Sequence, residues 1–526
     1  MTDRALENRY LELPDVRMSL DMSRVEAASD EKIAACREAM SALEKLDAGA
    51  IANPDEERMV GHYWLRKPSL APEGIGNDIS DAIKRIQEFA DAVHAGSIRP
   101  EKEEGFYILL LVGIGGSALG PQLLADALGG VDELMVLKCI DNTDPDGIDR
   151  VLDEIGDNLA ATLTLVISKS GGTAETRNGM VEVAERYKQA GLSFAKHAVA
   201  VTTPQSKLDQ RAESEKWLAS FPLWDYVGGR TSVTSAVGIL PAALQGFNIE
   251  EFLQGAAAAD DLARAAEPTV NPACQLAMAM HDCRHRGKRN FVVLPYMDRL
   301  GLMSKYLQQL IMESIGKTED RKGNTVAEGI SVFGNKGSTD QHALVQQLRD
   351  GPNDFLTMFI GVRQTRSVPS MLVDDKATSG DYLHAFLLGT RTALTDVGRE
   401  TMTLMLDALT ERTLGSLLAM FERAVSIYAE LANINAYHQP GVEAGKKSAG
   451  EELQLRARII EQLRADTSRG YSAESLAAAL DAGDRLPSVM EWLEYLVRQP
   501  QPVVSRSAAD HPMQATYQAV AEVPAG

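Results

Sequence analysis

Cysteine is scarce in this chain. Four residues in 526, Cys36, Cys139, Cys274 and Cys283, are too few and too dispersed for the disulfide framework of a small secreted fold. Long apolar runs are missing as well, so no segment reads as a bilayer span, and the opening MTDRALENRYLELPDV mixes acids with bases where an export signal would carry an apolar core. Positive charge is also short. The 53 Lys and Arg face 74 Asp and Glu, a net charge of -21 that opposes general attraction to nucleic acid or to an anionic membrane surface. A reducing, cytoplasmic location is therefore expected, with neither nucleic acid nor membrane as partner. An anionic ligand would need cations placed locally.

What is present is ample core material. Hydrophobic residues make up 44% of the chain and charged residues 24%, the balance of a folded globular protein. At 526 residues the chain is too long for one core, so two large lobes with smaller appendages are expected. Residues 1–100 read as a mostly helical cover, with apolar positions at helical spacing in SDEKIAACREAMSALEKL behind a Ser/Asp cap signal. From Phe106 short apolar runs alternate with helical stretches: FYILLLVG, ELMVLKCI, TLTLVIS and KHAVAVTT, each followed by turn residues. A second series, NFVVLPY, EGISVFG and FLTMFIGV, follows Ala-rich helical sequence at 249–287. The expected class is α/β: two doubly wound lobes, each a parallel sheet between helical layers, at 101–260 and 261–450. Residues 451–526 read as a helical appendage with 7 basic and 11 acidic side chains and no basic stripe, suited to packing against protein rather than nucleic acid.

In open parallel sheets, ligands gather where strands end and helices begin, because free backbone N–H groups and the helix dipole favour anions there. The stretch VGIGGSALG, 112–120, is one such place. Its Gly113-x-Gly115-x-x-Ala118 spacing fits a dinucleotide turn, with Asp141 at the end of the next run in position for a ribose, while Ser117 adds a hydroxyl suited to a smaller anion. The second place is ISKSGGTAET, 167–176. Ser168, Ser170, Thr173 and Thr176 supply hydroxyls, Lys169 supplies charge, and Gly171-Gly172 allows close backbone approach, a composition for a terminal phosphate; the same hydroxyls would also cap the helix that follows.

Four further side chains stand out. Arg230 follows two glycines in VGGRTS and could fork onto an oxyanion or a surface carboxylate. Glu313 sits among Leu310, Ile311, Met312 and Ile315, the apolar company that suits a general base. His342 heads an apolar helical segment, and Lys446 falls about one turn into a new helix after Pro440-Gly441. The cluster HDCRHRG places His281 and His285 on one helical face, yet Cys283 points elsewhere and basic neighbours would repel a cation, so no metal is assigned.

The ordered set GIGGSALGP, SKSGGTAET, GGR, QQxxMESxGK, DQHA and QPGVEAGK, spread over roughly residues 60–450, resembles the phosphoglucose isomerase family of the sugar isomerase (SIS) fold. The resemblance implies two SIS lobes and aldose–ketose isomerisation of a sugar phosphate through a cis-enediol, with no metal and no organic cofactor. By motif it implies that Gly116, Ser117, Ser168, Lys169, Ser170 and Thr173 hold the phosphate and that Glu313 moves the proton. Arg230 would stabilise the enediolate, His342 and Lys446 would assist ring opening, and Gln309 and Gln439 would line the sugar pocket. It further implies a homodimer in which His342 reaches the neighbouring subunit's site. Ser170-Gly171-Gly172, Thr231, Ile315 and Tyr437-His438 depart from the commonest family pattern and, with GHYWLRKPSLAP, match its cyanobacterial and plastid-type branch. Set beside this are a nicotinamide-dependent dehydrogenase using Gly113, Gly115 and Asp141, and a sensor that binds sugar phosphate without turning it over.

Overall fold

The structure is a computed structural model and describes residues 9–265 and 267–520; the first eight positions of the N-terminal region, Ala266 and the last six of the tail lie outside the described residues. Two compact units divide the chain, Met1–His438 and Gln439–Gly526.

Among the described residues the first unit contains two large sheets and two small two-stranded ones, Ile51–Asn53 with Arg58–Met59 and Lys317–Glu319 with Thr325–Glu328. The strands of the large sheets are β1 (Tyr10–Leu13), β2 (Met18–Arg24), β3 (Ile108–Val112), β4 (Val136–Ile140), β5 (Thr162–Ile167), β6 (Ala198–Thr202) and β7 (Ala219–Pro222), then β8 (Asn290–Pro295), β9 (Ser331–Phe333), β10 (Phe355–Gln364) and β11 (Thr401–Ala408). The first sheet has the order β4-β3-β5-β6-β7 and is parallel throughout. Every residue of β5 and β6 is buried, and apart from Thr162, Thr164 and Thr202 these strands are apolar. After β3 the chain passes to β4 on one side, and after β5 to β6 on the other. The sheet therefore reverses direction between two neighbouring strands, and a crevice opens outside their carboxyl ends. The two loops that border it are Gly113–Gly116 and Ser168–Thr173.

The second sheet has the order β1-β2-β11-β10-β8-β9. Its four later strands are parallel, as expected, but β2 joins β11 antiparallel and β1 joins β2 antiparallel, so the sheet is mixed. The mostly helical reading of residues 1–100 is corrected here. Helices Asp30–Asp47 and Ile75–His94 are present, and the segment before them supplies two strands. In β2, Met18, Leu20 and Met22 are buried at period two, the local signature of a strand. Its partner β11 lies nearly four hundred residues downstream, and nothing local announces it.

The helix Glu411–Leu431 is buried at every position from Thr413 to Ala429 and packs against helices Ile249–Ala263, Pro272–His285 and Asp30–Asp47. The second unit packs helices Pro440–Ala465, Ala473–Ala479 and Leu486–Val497 with a small hairpin, Val504–Arg506 and Tyr517–Ala519, around its own core of Leu455, Ile459, Leu476, Val489, Leu493 and Tyr517. The appendage is thus not wholly helical. Among the described residues no helix is long and apolar enough to cross a membrane.

Candidate active site

The glycine turn after β3 owes its sequence to close packing. A Cβ at Gly116 would lie 1.9 Å from the carbonyl oxygen of Gly229, backbone against backbone, and Gly115, at φ +58°, faces the Gln309 amide nitrogen, which would be 3.1 Å from an added Cβ. The turn therefore touches both the Gly228-Gly229-Arg230 segment and the helix carrying Glu313. Ser117 sits half-buried in the first turn of the helix Gly116–Leu128, where the N-terminal dipole favours an anion. The space over Gly115 that a dinucleotide backbone would need is filled by Gln309. Asp141, the candidate ribose ligand, accepts from Gln122 Nε2 at 2.8 Å.

The second loop leaves β5 at Ser168, which is buried and donates from Oγ to Thr173 Oγ1 at 3.0 Å. Thr202 Oγ1 donates to the Ser168 carbonyl at 2.6 Å, and Ser170 Oγ, exposed, accepts from the Gly172 N–H at 3.2 Å. Gly171, at φ +66°, admits no side chain: a Cβ would stand 2.7 Å from the backbone nitrogen of Leu208. Lys169, expected to supply charge in this loop, also has structural partners. Its ammonium donates to the carbonyls of Asp225, at 2.9 Å, and Val227, at 2.8 Å, bracing the loop against the approach to Gly228. Burial first, and Arg58 second, lower its pKa to about 8.

Glu313 and Arg230 meet at the centre. Arg230 Nη1 is 3.3 Å from Glu313 Oε2, with the two side chains 5% and 17% exposed. Arg230 Nη2 also donates to the carbonyls of Ala436 and His438, each at 3.1 Å. Burial lowers the arginine's pKa, and Glu313 opposes that shift. Glu313 follows directly on one π-helical turn, Gln308–Met312, between two short α-helical pieces. Such a bulge shifts the direction of the side chains after it and recurs at functional sites. The apolar company read in the sequence is real: Leu310, Ile311 and Ile315 are buried, while Met312 is exposed.

Behind this pair lies a cavity of about 40 Å3, lined among others by Arg230, Lys169, Glu422, Ser426 and Tyr437. Beyond it is a buried charge cluster. Arg66 grips Asp260 through two hydrogen bonds, at 3.0 and 2.9 Å, and also donates to Glu422, while Arg423 donates to Asp260 at 2.9 Å and to Asp47 at 3.1 Å. The guanidinium of Arg423 lies 3.4 Å over the Tyr63 ring. His62, fully buried among these cations, has its pKa pushed well down by burial and then by Arg66 and Arg423, and so stays neutral.

Three sequence candidates stand apart from this centre or on the other unit. His342 is exposed and closes a 3-10 turn, Thr339–His342; the helix it was expected to head starts only at Val345. Gln439 is the N-cap residue of the helix Pro440–Ala465, and Lys446, in the second turn of that helix, donates to Glu443 at 2.9 Å. Both belong to the second unit. His281 and His285 do stack on one helix face, 4.2 Å between ring centroids, but Lys32 Nζ lies 2.8 Å from His281 Nδ1. Among the described residues no group of three or more His, Cys, Asp or Glu is arranged to hold a metal ion. Sequence reasoning passed over Lys317, the lysine of MESIGK, whose ammonium lies at this centre. It stands four positions after the glutamate but opens the strand Lys317–Glu319, beyond the end of the helix, so helical spacing gave no signal for it.

The family model of phosphoglucose isomerase matches residues 22–383 and 391–475. Curated relatives named glucose-6-phosphate isomerase include one from Geobacter sulfurreducens, 53% identical over 94% of this chain and 94% of its own length, and one from Geobacter sp. strain M21, 50% identical over 97% and 98%. The crystal structure of a glucose-6-phosphate isomerase from Chlamydia trachomatis superposes with a TM-score of 0.78 at 28% identity, covering 87% of this chain and 92% of that one. With nearly its whole length matched at this identity, and with the strand-end crevice and ordered motifs described above, the chain belongs to the phosphoglucose isomerase family.

Proposed function

We propose that the crevice between the two loops holds an open-chain sugar phosphate with its reacting carbons beside Glu313. The reaction is the interconversion of D-glucose 6-phosphate and D-fructose 6-phosphate, an aldose–ketose isomerisation that serves glycolysis and gluconeogenesis. The phosphate rests on Ser117, Ser168, Ser170 and Thr173, with the backbone of Gly116 and Lys169 completing the cradle, and Gln309 and Gln439 line the sugar. His342, from the neighbouring subunit of a homodimer, and Lys446 assist opening of the ring. The location is cytoplasmic, and the partners are the sugar phosphate and a second copy of the chain, with neither nucleic acid nor membrane.

One observation supports this reading above the others. Glu313 and Arg230 form a pair at 3.3 Å, largely withdrawn from water. Once the ring is open, the hydrogen on carbon 2 is acidified by the carbonyl at carbon 1. The Glu313 carboxylate takes that proton, leaving a cis-enediolate whose charge on oxygen 1 Arg230 stabilises; the proton on oxygen 2 passes to oxygen 1, and Glu313 returns its proton to carbon 1. Phosphate contacts remote from the reacting carbons contribute binding energy for positioning, whereas the arginine favours charge that develops only during the step.

The purified protein, given fructose 6-phosphate in deuterated water, is expected to form glucose 6-phosphate carrying solvent deuterium at carbon 2. Glu313→Gln should lower that exchange by about a hundredfold to ten-thousandfold while sugar phosphate still binds. Near-normal exchange in this variant refutes Glu313 as the base.

A further inference from the structure

Lys317 carries a cation that the proton transfer just described does not use. It is 6% exposed, at the first position of the short strand Lys317–Glu319, directly after the helical piece that ends at Ile315. Its ammonium donates to the Glu313 carbonyl at 2.9 Å and to the His438 carbonyl at 3.3 Å. The His438 carbonyl also accepts from Arg230, at 3.1 Å, and Arg230 is paired with the Glu313 carboxylate. The contacts close a ring: carboxylate, guanidinium, His438 carbonyl, ammonium, and the backbone of the residue that bears the carboxylate. Asp55 and the His438 imidazole are the other charged or titratable groups that act on the ammonium, besides Arg230 and Glu313.

We propose that Lys317 is a positioning residue for the isomerisation, fixing base and oxyanion cation as one rigid unit by tying the backbone of Glu313 to the carbonyl that anchors Arg230. The inference rests on the reading of Glu313 as base. The physical need is clear from the local structure. Glu313 belongs to the last turn of its helix, where carbonyls lack intrahelical partners, and the lysine satisfies one of them from the side on which the chain leaves. Without that tether the turn bearing the base is free to shift, and a misplacement of about 1 Å costs on the order of a hundredfold in rate. The burial is unfavourable for the cation itself. Desolvation, with Arg230 adding to it, brings the Lys317 pKa down to about 8. A residue kept only for stability would not be an ammonium placed beside a second buried cation.

The test uses the full-length protein with fructose 6-phosphate as substrate. Lys317→Met is expected to lower kcat, and solvent deuterium exchange with it, by about tenfold to a hundredfold while KM stays within about twofold, because phosphate contacts are untouched. Lys317→Arg keeps the charge; it is expected to recover most of kcat and to move the decline of kcat above about pH 8 to higher pH. A Lys317→Met enzyme with kcat within twofold of the parent overturns the proposal, and so does a loss confined to KM. Should Lys317→Met fail to fold, Lys317→Arg decides alone: an alkaline limb that superposes on the parent's overturns the proposal, since Lys169, the other ammonium lowered to about 8, is unchanged in that variant. A parent protein that does not isomerise fructose 6-phosphate overturns the functional reading and this inference together. Full exchange in Lys317→Met beside lost exchange in Glu313→Gln overturns the inference alone.

Discussion

Arg230 reaches two carbonyls through one edge of its planar group and a carboxylate through another. A lysine cannot reproduce that fork. Arg230→Lys is therefore expected to lower kcat by about a hundredfold to a thousandfold, the scale seen when a preorganised oxyanion donor is removed, and steady-state kinetics with fructose 6-phosphate measure it. A loss under tenfold would show that the guanidinium only holds the 436–438 segment. At this scale the sequence was informative about residue types and poor about directions. Glu313 was legible because apolar neighbours on both sides force it inward. Lys169 was expected to place charge on a phosphate, and the reach of its long stem to the carbonyls of Asp225 and Val227 could not be read from the loop. Lys317 was passed over because its acceptor at His438 is far along the chain.

At the scale of elements, the glycine turn and the π-helical turn set the geometry. The turn's glycines had two readings, ligand approach and close packing, and Gly116 shows the second directly: its α-carbon abuts the Gly229 carbonyl. Gly116→Ala must push the Gly228–Arg230 segment away, since neither backbone has a flexible end to give. Overpacking of this kind costs about 1–3 kcal/mol, and kcat/KM is expected to fall more than stability alone explains because Arg230 moves with the segment. Kinetics and thermal unfolding of the same preparation check this, and an unchanged kcat/KM would show that Arg230 is placed independently of the turn. The π-helical turn was not legible, because an extra residue in a helical repeat leaves the apolar pattern nearly intact. The central parallel strands of the first sheet were legible for the opposite reason, since strands buried on both faces are mostly apolar, here with only threonine among the polar types.

The first unit holds ion pairs withdrawn wholly or largely from water. Asp260 is buried, which works to raise its pKa, but Arg423 and Arg66 outweigh that effect and hold it far below the usual carboxylate range. A depressed folded pKa stabilises the fold above the unfolded value near 3.9 and is lost as the pH falls below it. Glu400 follows the same logic: burial would raise its pKa, yet Lys288 and Arg286 bring it to about 2. Stability measured by denaturant titration is accordingly expected to be flat from neutral pH to about 5 with respect to these groups and to fall from about pH 4 to 2. Asp260→Asn leaves two buried guanidinium groups without their shared anion, and a loss of about 3–5 kcal/mol is expected by chemical denaturation at pH 7. A change below about 1 kcal/mol would show that Glu422 and Asp47 suffice to neutralise both arginines.

Much local order was determined by the sequence itself: the apolar runs that become the first sheet, the caps that start helices such as Asp30–Asp47, and the ordered motifs that mark the family. These depend on neighbours within a turn or two, and side-chain periodicity and backbone sterics act over that range. Tertiary structure alone decided which distant segments meet. The pairing of β2 with β11, the convergence of Arg230 and Lys317 on the carbonyl of His438, and the seating of Gln309 over Gly115 each join residues more than a hundred positions apart. Such contacts form only when the core closes, because the burial of side chains from both sheets and the helices packed with them in one shared core, and not any local preference, brings the segments within bonding distance.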